Sequence, residues 1–99
     1  MHRVEGVALP AEGELVAVQV DGASVAVTVV DGQVHAVDDE CTHQQCSLAG
    51  GEVEDGALVC PCHFGRFDLR TGAVLDGPPD QPLHVWRAAF RDGVLELER

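Results

Sequence analysis

Valine recurs at every second position over two stretches near the start of the chain. Glu14 to Val20 reads ELVAVQV and Ser24 to Val30 reads SVAVTVV, and a period of two is what a strand with one inward face requires. Asp21-Gly22 lies between them, and Asp31-Gly32 separates the second from Gln33 to Val37. Asp-Gly between such runs predicts two-residue type I′ hairpins, because both central residues need positive φ. Asp55-Gly56 and Asp92-Gly93 repeat the signal, the latter joining a strand at Leu83–Phe90 to one at Val94–Leu97. No ten-residue stretch carries a helical period, so the chain reads as all-β, an antiparallel sandwich or small barrel.

Three segments break the alternation. Asp38 to Gly51 is a long irregular insert, Pro61 to Gly65 turns out of a short strand at Ala57–Cys60, and Asp76-Gly77-Pro78-Pro79-Asp80 is a stiff loop with little freedom to lose on ordering. The expected organisation is one domain over residues 1–99. A small subdomain built on the irregular loops is expected at residues 38–68, with a proline loop at residues 76–82.

The chain has 99 residues, too few to hold a large substrate cavity beside a metal centre, which favours a carrier or subunit over a self-sufficient enzyme. Six basic residues against seventeen acidic ones give a net charge of -11. This argues against nucleic acid and anionic membrane as partners and favours steered encounters with basic protein surfaces. Met1 to Pro10 lacks the pattern of a signal peptide, and no apolar run reaches the roughly eighteen residues of a membrane span. A soluble, cytoplasmic monomer is the expectation.

The chemistry is concentrated in Cys41-Thr42-His43 and Cys60-Pro61-Cys62-His63, with sixteen residues between His43 and Cys60. Each stretch offers a thiolate and an imidazole. Iron–sulfur clusters are normally held by four thiolates, but a Rieske centre replaces two of them with histidines on one iron. The same four donors, Cys41, His43, Cys60 and His63, would also satisfy tetrahedral zinc in a small interaction module.

CTHQQC at 41–46 and CPCHFGRFD at 60–68 resemble the two cluster-binding boxes of Rieske [2Fe–2S] proteins, and the downstream Gly-Pro-Pro loop extends the resemblance over nearly the whole chain. The resemblance implies a Rieske-type β base carrying one [2Fe–2S] cluster, with Cys41 and Cys60 on one iron and His43 and His63 on the other. It also implies a disulfide between Cys46 and Cys62, as in high-potential members; two free thiols are the alternative in a reducing compartment. Respiratory members add Ser and Tyr hydroxyls after the second box that raise the potential. Gly65 and Phe67 stand there, and the chain has no Tyr.

The implied function is a soluble ferredoxin that passes single electrons from a ferredoxin reductase to the terminal oxygenase of an aromatic-ring dioxygenase system. It would be a carrier and not an enzyme. The small subunit of an assimilatory nitrite reductase is the alternative that shares the fold. His2, His35 and His84 read as surface or strand histidines, and Trp86, Phe90 and the alternating valines as core. Asp38, Asp39 and Glu40 are either a solvated turn or an acidic docking rim, with Arg66 and Arg70 free to pair with them or with Asp68.

Overall fold

Alternating valines give each strand one apolar face to bury, and the computed structural model shows how that is done. It describes residues 2–5, 8–40, 46–62, 64–77 and 81–99. Three antiparallel strands, β2 (Leu15–Val20), β3 (Ala23–Val30) and β4 (Gln33–Asp38), follow one another through the first two Asp-Gly turns. At all four Asp-Gly turns both residues have positive φ, from 48° to 53° at Asp and from 75° to 82° at Gly, as type I′ geometry demands.

Near the other end of the chain, β9 (Val85–Arg91) and β10 (Val94–Glu98) form a hairpin, and β1 (His2–Glu5) pairs with β10. Ala36↔Trp86 and Val37↔Val85 join the two halves into a six-stranded sheet of order β1-β10-β9-β4-β3-β2. The sheet coils so far that His2 Nδ1 on one edge strand comes 3.1 Å from Asp21 Oδ2, in the turn after the other edge strand. Between β4 and β9 the chain builds a second, four-stranded antiparallel sheet from β5 (Glu52–Glu54), β6 (Ala57–Val59), β7 (Arg66–Asp68) and β8 (Val74–Asp76). Among the described residues the only helical turn is a short 3-10 piece at Leu48–Gly50. The fold is therefore all-β and antiparallel.

Two apolar clusters hold it. Val18, Val20, Val25, Val27, Ala36, Trp86, Leu95 and Leu97 fill the concave side of the large sheet. Ala26 and Val37, which alternate with those residues, join Leu48, Leu58, Cys60, Phe67, Leu69 and Leu83 between the large sheet and the small one. Strand β3 is thus covered on both faces, which is why it reads as nearly continuous apolar sequence. Trp86 belongs to the core as expected, whereas Phe90 is only half-buried against it.

The strand expected from Leu83 begins at Val85. Leu83 N–H instead donates to Gly72 O at 2.8 Å, tying the approach to β9 onto the small sheet. Gly72 sits at φ 78°, and a Cβ there would strike Leu83 O. No other residue type brings the two strands of chain so close.

Candidate metal centre

The second box leaves β6 at Val59 and reverses at once. Cys60 N–H donates to Gly65 O at 2.8 Å and Phe64 N–H to Cys60 O at 2.9 Å, so both ends of the turn are closed by backbone bonds. Phe64 takes φ 58° and leaves its ring 74% exposed. A left-handed aromatic costs free energy, and the turn's paired bonds are what hold it there. Cys60 is a free thiol, 1% exposed, packed against the core shared by the two sheets.

The base of the first box is held by Asp39, which is buried at 7% exposure. Its carboxylate accepts from Ser24 Oγ at 2.8 Å, from Ser47 Oγ at 2.9 and 3.0 Å, and from Ala49 N–H at 2.7 Å. Its backbone N–H donates to Ser24 O and its carbonyl accepts from Leu48 N–H at 2.6 Å. One residue therefore pins both ends of the segment 40–47 to each other and to β3. Asp38 accepts a bond from Trp86 Nε1 at 2.8 Å. Of the three acids expected as a solvated turn or a docking rim, two serve instead as internal acceptors, and only Glu40 is exposed. Arg66 pairs with Glu54 at 3.2 Å rather than with those acids, and Asp68 accepts from the Arg70 backbone N–H, not from its guanidinium. No pattern in the sequence marks Asp39 as buried, since an acid run before a loop looks the same whether solvated or clamped.

Cys46 and Cys62 form a disulfide across the two loops, with Cα atoms 6.5 Å apart and a sequence separation of 16. It joins the last residue of the first box to the second box, as the resemblance implied. Gly51 lies against the same corner, where a Cβ would collide with Val59 O. Cys41, His43 and His63 lie outside the described residues, as do Pro78, Pro79 and Asp80 of the proline loop.

The donor chemistry tests which cluster fits. The chain has four cysteines, and two of them are consumed by their own bond. At most two thiolates remain, so an all-cysteine [2Fe–2S] cluster is excluded and any such cluster must take two of its ligands from other side chains. A mixed thiolate and imidazole set is what a Rieske centre uses, and Cys60 stands free and buried at the loop base to supply one thiolate.

Comparison with known proteins agrees. A family model described as Rieske [2Fe-2S] domain matches residues 3–87. The biphenyl dioxygenase ferredoxin subunit of Pseudomonas sp. (strain KKS102) is 41% identical over 90 residues, covering 88% of this chain and 83% of that protein. The ferredoxin component of the naphthalene 1,2-dioxygenase system of Pseudomonas putida is 36% identical over 85 residues, covering 84% and 82%. Among solved structures, the ferredoxin of carbazole 1,9a-dioxygenase from Nocardioides aromaticivorans IC177 superposes with a TM-score of 0.90 at 27% identity, covering 99% of this chain and 98% of that one. A chain from the complex of reduced oxygenase and oxidized ferredoxin in carbazole 1,9a-dioxygenase gives 0.81 at 32% identity, covering 87% and 89%.

Proposed function

The chain belongs to the Rieske [2Fe–2S] domain family, and from that premise we propose that it is the ferredoxin component of a multicomponent oxygenase acting on aromatic rings. It takes single electrons from a reductase and hands them to the terminal oxygenase. The observation that carries this reading is a match over more than four fifths of both chains to ferredoxin components of aromatic dioxygenases. That match does not favour the nitrite reductase subunit or the zinc module.

Its cofactor is one Rieske-type [2Fe–2S] cluster, which when bound takes up and releases one electron. Cys41 and Cys60 hold one iron in this reading, and His43 and His63 the other. Residues 38–68 make the cluster-binding part in this reading, and residues 76–82 the proline loop. The chain's own work is positional. Asp39 fixes the first box at its base, the Cys60–Gly65 turn fixes the second, and the Cys46–Cys62 bond spaces the two. The exposed Phe64 ring, next in sequence to His63, offers an apolar contact to a partner. The protein transforms no organic substrate itself and works in the cytoplasm as a monomer.

Protein-film voltammetry across pH tests the reading. Rieske centres span about -150 to +300 mV, and a wave near the bottom of that range that falls at alkaline pH is expected. The low value follows from Gly65 and Phe67 lacking hydroxyls, and the alkaline fall from imidazole ligands. A wave near the top of the range would refute the assignment to an oxygenase-feeding carrier. A visible spectrum unchanged by His43→Cys or by His63→Ala would refute the ligand set.

A further inference from the structure

Three sulfur atoms converge at one point of the loop cluster. The Sγ atoms of Cys46, Cys60 and Cys62 all lie within 4.8 Å of one another. They reach that point from different directions, Cys46 from just before the 3-10 turn and Cys60 and Cys62 from the turn after β6. Two of the three are spent on the disulfide, and Cys60 is free.

A soft divalent cation such as zinc binds thiolates at about 2.3 Å in tetrahedral geometry, which sets two sulfurs on one metal about 3.8 Å apart. The Cys60 sulfur stands within 4.8 Å of the other two, about an ångström at most beyond this spacing. Breaking the disulfide would let Cys46 and Cys62 separate by the remaining distance through side-chain rotation. The backbone need not move, because Cys60 is fixed by its bond to Gly65 O, and Ser47, next to Cys46, is fixed by Asp39. Access is open from one side: Cys62 is exposed and Cys46 half-buried, while Cys60 lies at the floor.

We propose that reduction of the Cys46–Cys62 disulfide uncovers a second metal site, a three-thiolate nest of Cys46, Cys60 and Cys62 for zinc or a cation of like softness. The redox step uses a dithiol. Two electrons and two protons pass to the disulfide, the S–S bond breaks, two thiols form, and the dithiol closes to its own disulfide. Metal entry then forms three metal–sulfur bonds and displaces three protons to solvent.

Thiolate sites favour zinc over ferrous iron by their softness and by the general order of divalent affinities. The reduced chain therefore takes up the wrong metal in preference to iron. Because Cys60 belongs to both donor sets, the nest and the cluster exclude each other; that exclusion rests on the ligand reading above, whereas the nest itself rests only on the three sulfur positions. In this view the disulfide keeps two spare thiolates from competing for the metal centre.

The test is a cadmium(II) titration of the full chain carrying Cys41→Ser, which leaves the three sulfurs in place and removes one cluster ligand. The protein is taken either with its disulfide intact or after reduction with a water-soluble phosphine and desalting. The reduced form is expected to bind one cadmium per chain about a hundredfold more tightly than the oxidised form, with an ultraviolet charge-transfer band as intense as three thiolates give. Adding Cys62→Ser leaves two thiolates, Cys46 and Cys60, and should lower the affinity at least tenfold below that of the reduced three-sulfur protein. Equal affinity of the two forms, a one-thiolate band after reduction, or no effect of Cys62→Ser would each overturn the proposal. A second measurement does not depend on the folding of a variant. In the cluster-loaded wild-type protein, phosphine and cadmium together should bleach the visible spectrum at least tenfold faster than either alone, and equal rates would likewise overturn it.

Discussion

Replacing Asp39 by alanine removes one carboxylate and strands three donors. Hydrogen bonds to a charged group contribute about 1.5–3 kcal/mol each, but the three are not equivalent here. The Ser24 and Ser47 hydroxyls can rotate toward water, and Ser47 is itself exposed. The Ala49 N–H, 2.7 Å from Oδ1, has no such freedom. One full bond and a fraction of two others give a loss of about 3 kcal/mol, allowing for coupling within one network. For a domain of this size that corresponds to a fall in Tm of about 12–24 °C. Asp39→Asn keeps an acceptor for Ala49 and offers an NH2 to hydroxyls able to accept, so it should cost only about 1 kcal/mol. The assay is urea unfolding read through Trp86, the single tryptophan. All proteins are compared cluster-free with the disulfide intact, because loss of a bound cofactor breaks two-state behaviour. Amide exchange at Leu48 and Ala49 should accelerate in Asp39→Ala before exchange in β3 does. A loss under about 0.5 kcal/mol, or an asparagine variant as damaged as the alanine one, would refute the view of Asp39 as the clamp of the first box.

Other changes discriminate further. Gly72→Ala and Gly93→Ala both put a side chain at φ 78°, but the first meets Leu83 O and Val85 Cγ2 whereas the second meets nothing within 4 Å. Thermal unfolding should therefore show Gly93→Ala losing about 1–2 kcal/mol from backbone strain and Gly72→Ala losing at least twice that; equal losses would contradict the close approach. Thr28 is fully buried in β3, and among the described residues its Oγ1 has no hydrogen-bond partner. Thr28→Val should raise stability by about 1 kcal/mol in the same urea assay, and a destabilised variant would mean that the hydroxyl is satisfied after all.

Alternation and Asp-Gly pairs made most of the large sheet legible, since strands of five or more residues display their period and each turn residue states its φ. The three-residue strands Glu52–Glu54 and Val74–Asp76 were not legible, because three positions cannot show a period of two against background. His2–Glu5 is a strand only because β10 gives it a partner. The donor residues proposed for the site rest on the sequence and the resemblance, which also implied the pairing of Cys46 with Cys62. Only Cys60 of the four proposed ligands falls within the described residues. What the sequence concealed was the support. Asp39 reads from the sequence as part of a solvated turn or a docking rim, and the contacts of Gly51 and Gly72 depend on chain segments remote in sequence.

The bonds around Cys60 have a kinetic meaning for an electron carrier. A change of one unit of charge obliges nearby atoms to settle into new positions, and the energy of that settling, the reorganisation energy, sets the barrier to transfer. Here the backbone beside the thiol has few soft coordinates: its own N–H is committed to Gly65 O, its carbonyl to Phe64 N–H, and Gly51 lies hard against Val59 O. A frame held this way should shift little when an electron arrives, so turnover should follow how quickly partners meet and part, which surface charge and salt would set.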